Sequence, residues 1–192
     1  PIKSSAASDV YKRQLECRRR SAFGNGTEVA AMNECAGRTV RIYDALTAQI
    51  AYLLAVYRHR PQTIAALERM IGAYVLERTS ELGSVGRGAC VKGARFVREV
   101  RIGDGATIDG ATLLENGTLC AGAFVGADVK ARDFILAEGA RVDNGSILER
   151  CFVGESSVLD KGFTATHSLF FANCHCCLLY TSPSPRDRTR SR

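Results

Sequence analysis

A repeat of 17 residues constrains this chain more than any other feature. Aliphatic residues stand at Val85, Ile102, Leu119, Leu136 and Val153, each 17 positions after the last, with Phe170 in the sixth place. A second column runs Val91, Ile108, Val125, Val142 and Leu159, and a third runs Val97, Leu114, Ala131, Leu148 and Ala165. Within one period the columns lie 6, 6 and 5 residues apart. Glycine recurs at Gly88, Gly105, Gly122 and Gly139, with Ser156 in the fifth place, and Ala89, Ala106, Ala123, Ala140 and Ser157 follow it. A chain that repeats in this way builds a solenoid, because each unit exposes an apolar face that only the next unit can cover. The spacing predicts a coil of three short strands, each with one side chain pointing inward. Small residues and glycine take the corners, where the backbone turns tightly or needs a positive φ. Asp109, Asp143 and Asp160 follow the inward column and are placed to accept hydrogen bonds from corner amides. Five coils, 85–101 through 153–169, are enough for a stable stack once its ends are covered.

Upstream the period changes. Residues 15–43 read as a loop and short strands. The loop contains Arg18-Arg19-Arg20 and Gly24-Asn25-Gly26. Thr27 to Met32 and Thr39 to Tyr43 are β-favouring runs, either a hairpin or the last part of an upstream sheet. Residues 44–82 read as a helical hairpin. Asp44 is a suitable N-cap, and Leu46, Ile50, Leu53, Leu54 and Tyr57 recur at helical spacing. Arg58-His59-Arg60 ends this helix on the side where the dipole favours cations. Pro61 breaks the pattern or opens a second helix at its first turn. Ile64, Leu67, Ile71, Val75 and Leu76 mark that helix as far as about Arg78, and Gly83 stops it. The two apolar stripes are expected to pack on each other and on the solenoid end.

The ends differ in kind. Ser4 to Gln14 reads SSAASDVYKRQ, and Cys177 to Asp187 reads CLLYTSPSPRD. Asp9 to Gln14 can be coded GAT GTG TAT AAG AGA CAG, and Cys177 to Ser182 can be coded TGT CTC TTA TAC ACA TCT. Apart from the end bases these are reverse complements, and both segments resemble translated transposase adapters. Residues 1–14 and 177–192 are therefore expected to be adapter-derived, disordered tails. The remainder, 15–176, is expected to be a fragment of a longer protein. The chain has 26 basic and 20 acidic residues. Setting aside Lys3, Lys12, Arg13, Arg186, Arg188, Arg190 and Arg192 leaves 19 basic residues, and setting aside Asp9 and Asp187 leaves 18 acidic ones. The basic balance thus lies mostly in the tails, and it carries no case for nucleic-acid binding. There is no transmembrane run, and the cysteines are irregularly spaced, which suits a reducing cytoplasm. Cys174-His175-Cys176-Cys177 has the look of a metal cluster, but it sits on the adapter junction, so no metal site is assigned. Cys90, Cys120 and Cys151 read as small buried thiols.

Ile102-Gly-Asp-Gly-Ala-Thr107, Leu136-Ala-Glu-Gly-Ala-Arg141 and Val153-Gly-Glu-Ser-Ser-Val158 follow an aliphatic, small-or-acidic, any, any, small, any pattern. This resembles the hexapeptide repeat of the trimeric acyltransferase-like superfamily. The resemblance implies a left-handed parallel β-helix at 83–176, of about five 17-residue coils, preceded by the helical hairpin. The usual coil of that superfamily has 18 residues, so one face or corner here is a residue short. Thr47 to Pro61, the solenoid, and Ser168-Leu-Phe-Phe-Ala-Asn-Cys174 together are similar to an uncharacterised bacterial family that carries only a domain-of-unknown-function label. Its members have β-helix coils on both sides of a helical insertion.

The superfamily resemblance implies a transferase of acyl or sugar-nucleotide type, with a histidine as general base, coenzyme A or an acyl carrier as donor, and a homotrimer as the working form. Of His59, His167 and His175, the catalytic candidate is His167. It falls at a coil corner, in the column Glu99, Asn116, Asp133, Arg150. His59 reads as a C-terminal helix cation. No glycine-rich nucleotide loop occurs, because the glycines follow the coil period. Asp104, Asp109, Asp128, Asp143 and Asp160 recur at coil positions and favour corner hydrogen bonding over calcium. The alternatives to a transferase are a non-catalytic β-helical scaffold and a small-molecule binding module.

Overall fold

The computed structural model describes residues 3–4, 15–17, 19–31 and 38–177. Its body is a parallel β-solenoid of about five coils. Long strands Phe96–Ile102, Leu113–Leu119, Lys130–Leu136 and Ile147–Val153 lie side by side in one sheet. Their register is the sequence period: Phe96 pairs with Leu113, Leu113 with Lys130, Lys130 with Ile147, and Ile147 with Thr164. A second parallel sheet stacks Cys90–Lys92, Thr107–Asp109, Phe124–Val125, Arg141–Val142, Val158–Leu159 and His175–Cys176.

The three apolar columns point inward. Ile102, Leu119, Leu136 and Val153 are at most 1% exposed, as are Ile108, Val125, Val142 and Leu159. Burying each such side chain contributes about 1.5–3 kcal/mol, and no coil could realise that burial alone. A further inward column, Val100, Gly117, Phe134 and Cys151, escapes the 6-6-5 spacing. It lies directly after the residue-short corner. That corner is a single residue with φ near +50° inside each long strand: Glu99 (52°), Asn116 (50°), Asp133 (50°), Arg150 (51°) and, in the fifth coil, His167 (49°). One left-handed residue turns the chain there. Gly88, Gly105, Gly122 and Gly139 take the expected positive-φ corner at 64–66°, and Ser156 adopts it at 53°.

Among the corner acids, Asp143 accepts from the Asn144 N–H at 2.8 Å, Asp160 from the Lys161 N–H at 2.6 Å, and Asp104 from the Arg87 N–H at 2.8 Å.

The N-terminal part is an insertion within a coil. Leu15–Glu16 pairs with Val97–Arg98, so Cys17 falls at the level of the Glu99 corner. Val85 pairs with Ile102, which puts Gly83 beside Val100. The chain therefore leaves the solenoid at the corner and returns one position later, after the insertion. A Cβ on Gly83 would stand 3.9 Å from the Cβ of Cys17. Lys3–Ser4 pairs in parallel with Ser84–Val85. The rest of the expected tails, 1–2, 5–14 and 178–192, lies outside the described residues.

The insertion contains an antiparallel pair, Glu28–Val29 with Val40–Arg41, so the β-favouring runs form a hairpin. Two helices follow, α1 (Ala48–Val56) and α2 (Pro61–Arg78), and of the two alternatives for Pro61 it is the opening of the second helix that holds. Thr47, not Asp44, is the N-cap of α1: its hydroxyl accepts from the Ile50 N–H at 3.4 Å, and Asp44 is taken up by α2. The helices do not pack on the solenoid end. Leu54, Ile71 and the hairpin residues Val29, Val40 and Ile42 share one core with Ile135, Ala137 and Phe152 on the flank of the coils. The reason is the outward column Thr118, Ile135, Phe152, Leu169, whose apolar members need a cover. Leu76, expected in the stripe, is 69% exposed.

Candidate functional site

The Phe23–Gly26 loop seats the insertion on the flank. Asn116 Oδ1 accepts from the Ser21 hydroxyl at 2.9 Å and from the Gly24 N–H at 3.0 Å. The Thr118 hydroxyl donates to the Phe23 carbonyl at 2.6 Å. Gly24 (φ 81°) comes so close that a Cβ there would lie 2.6 Å from the Phe134 carbonyl oxygen. Asn25 reaches onward, with its side-chain oxygen accepting from the Asp44 N–H at 2.8 Å.

His167 is at its predicted corner, half-buried, under the hairpin. Its Nδ1 accepts from the Ala30 N–H at 3.1 Å. The Nδ1 lone pair is thereby engaged within the protein and is not turned toward a substrate proton. Among the described residues no carboxylate orients it. His59 is exposed and lies against Tyr57 in a tilted ring pair with centroids 4.5 Å apart, and His175 is exposed in an edge strand. The three histidines do not converge, and among the described residues no group of three or more His, Cys, Asp or Glu side chains is placed to hold a metal ion.

Two coil thiols, Cys120 and Cys151, are poor nucleophiles. Burial, then the Asp44 carboxylate, pushes the Cys120 thiol up to about 11, and burial also raises Cys151. Thiolate, the reactive form, is scarce at neutral pH in such a setting.

A charged cluster joins the insertion to the solenoid, and of its members the sequence points to Asp44 alone. The Tyr74 hydroxyl donates to Asp44 Oδ1 at 2.5 Å, and Arg78 donates to the Tyr74 oxygen at 2.8 Å. Arg78 and, from the coil, Arg101 stand 4.0 and 3.8 Å from Asp44 Oδ2. Burial first, then the hydrogen bond and charge of Asp44, hold Tyr74 above the usual tyrosine range. Beside this cluster a cleft of about 330 Å³ opens between α2 and the first coils, lined by Phe23, Glu77, Arg78, Ser80, Leu82, Gly83, Ser84 and Arg101. It contains fixed donors and, in Glu77, one carboxylate exposed at its rim. The sequence signal for it is Arg101, a charged residue in the outward column whose next three members, Thr118, Ile135 and Phe152, are covered.

Residues 8–179 match the family model described as "Domain of unknown function (DUF4954)". The chain belongs to that family. The DUF4954 match spans the insertion and every coil, so the helical pair and the solenoid are parts of one family unit. It also takes in 8–14 and 177–179 of the segments attributed to adapters. No curated protein and no solved structure matches the chain.

Proposed function

We propose that this DUF4954 chain is a non-catalytic solenoid module that holds its inserted helices at a fixed place on the coil stack. The observation that carries this reading is the engagement of His167 Nδ1 by the Ala30 amide. It turns the one histidine at a suitable corner into a clasp for the insertion. The raised thiols and the internally paired Glu99–Arg19 and Asn116–Asp133 groups support the same reading. The acyl- or sugar-nucleotide-transferase reading rests on superfamily resemblance, which is a warrant from analogy. Acetyl or succinyl transfer from a coenzyme A donor, tested with the purified chain and with His167→Ala, decides between them. The scaffold reading expects no turnover in either protein. Turnover lost in His167→Ala overturns it.

A homotrimer is proposed on the same resemblance. Phe96 and Ile147, 42% and 40% exposed, supply apolar surface for it, and sedimentation equilibrium tests it. Free thiols at all seven described cysteines support a reducing cytoplasm. Among the described residues, no helix is long and apolar enough to cross a membrane.

A further inference from the structure

The outward column beneath the insertion runs Ser84, Arg101, Thr118, Ile135, Phe152 at the coil period. Thr118, Ile135 and Phe152 are covered, at 3% exposure or less. Ser84 and Arg101 are left open on the cleft, where Arg78 from the end of α2 joins them. The two guanidiniums share one carboxylate. At 3.8 and 4.0 Å from Asp44 neither makes a direct hydrogen bond to it. Asp44 itself is committed to Tyr74. Among the described residues the Arg101 guanidinium makes no hydrogen bond to a protein acceptor, and the Arg78 guanidinium donates to the Tyr74 hydroxyl alone. Most N–H donors of both forks therefore face the cleft without a protein acceptor, in a site one-third exposed.

We propose that this cleft binds the phosphate group of a small phosphorylated molecule, held by Arg101 and Arg78 with the Ser84 hydroxyl beside them. Guanidinium forks match the oxygens of a tetrahedral oxyanion, and two of them can share its oxygens where one carboxylate ligand would satisfy fewer donors. Asp44 offsets one of the two guanidinium charges, and Glu77, whose charge also acts on Arg78, offsets part of the other, so recognition rests on the donor geometry of the two forks. Glu77 also lines the cleft, but it is exposed on the rim, where water and salt screen it. The volume lies at the small end of the range of roughly 300–1,000 Å³ for ligand sites, room for a phosphate and a sugar-sized group against Phe23 and Leu82. The site adds a ligand to the scaffold reading and does not depend on it.

Titration calorimetry of the full chain with inorganic phosphate, at ionic strength held constant with chloride, tests the site. Saturable binding at one site is expected, with acetate weaker and glucose 6-phosphate at least as tight as phosphate. Arg101→Met is expected to lower the affinity at least tenfold. Arg132→Met, which removes a guanidinium paired with Glu115 elsewhere on the surface, is expected to leave it unchanged. Phenylglyoxal labelling read by mass spectrometry gives a measurement that needs no variant: phosphate should protect Arg101 and Arg78, and not Arg132. Unsaturable binding, equal losses in the two variants, acetate tighter than phosphate, glucose 6-phosphate weaker than phosphate, or unprotected Arg101 overturns the proposal.

Discussion

The ring of Phe134 fills the place that a side chain on Gly117, its partner one coil earlier, would occupy. The column Val100, Gly117, Phe134, Cys151 thus holds its volume by pairing its largest member with its smallest. Gly117→Ala is expected to cost about 1–3 kcal/mol by overpacking. Phe134→Ala is expected to cost about 3–5 kcal/mol through the cavity it leaves. The informative variant is the double Gly117→Ala, Phe134→Leu. Urea unfolding should find it more stable than the sum of its single changes predicts, and strict additivity would refute the pairing.

Arg150 shares the left-handed corner with Asn116 and Asp133 and, among the described residues, is held there by a 3.9 Å ion pair with Asp133. An ordinary side chain in that conformation costs on the order of 1 kcal/mol, and asparagine tolerates it better. Arg150→Asn should therefore raise the thermal midpoint. A lower midpoint would mean that the corner is not strained.

The Asn144 side-chain amide, then the Lys161 N–H, holds the Asp160 carboxyl below its ordinary value of 3.8. A carboxylate whose folded pKa is depressed contributes stability above its unfolded pKa and loses it as pH falls through the folded one. The advantage of the wild type over Asp160→Asn in urea midpoint should be full at neutral pH. It should shrink below about pH 4 and vanish under strong acid. A difference independent of pH would exclude this account.

Cys120 should react with iodoacetamide much more slowly at pH 8 than a free thiol such as glutathione does. Its rate should climb about tenfold per pH unit toward 11. Arg101 lowers this thiol's pKa, so Arg101→Met should slow the labelling further. Labelling as fast as glutathione would show the thiol to be open and ionised.

The Ala30 amide should be protected from hydrogen exchange by His167. His167→Leu should release it and destabilise the chain by roughly 1 kcal/mol, the net worth of a hydrogen bond, with corner strain added. His167→Asn should keep the corner and lose only the clasp. Unchanged Ala30 exchange in both variants would remove the clasp and, with it, the main support for the scaffold reading.

The solenoid was legible because its columns are local and recurrent. Val85, Ile102, Leu119, Leu136 and Val153 declare their depth by repetition alone. The corner of His167 was legible for the same reason, through Glu99, Asn116, Asp133 and Arg150. What escaped depended on partners distant in the chain. Asp44 reads as a helix cap until Tyr74, thirty residues on, takes its carboxylate. Gly24-Asn25-Gly26 reads as a loop until Asn116 and Thr118 meet it on the coil flank. Ile135 and Phe152 alternate with the inward columns and so read as surface, although they lie under the insertion. The 17-residue coil announced a missing residue without saying which corner had lost it.

Because Cys17 and Gly83 sit side by side, the insertion begins and ends at nearly the same point in space. Joining them directly closes no long gap and shifts no rung of the sheet, so the helical pair is a graft on a stack that can be spliced. Other cargo with neighbouring termini could be mounted at the same corner without re-registering the strands above it.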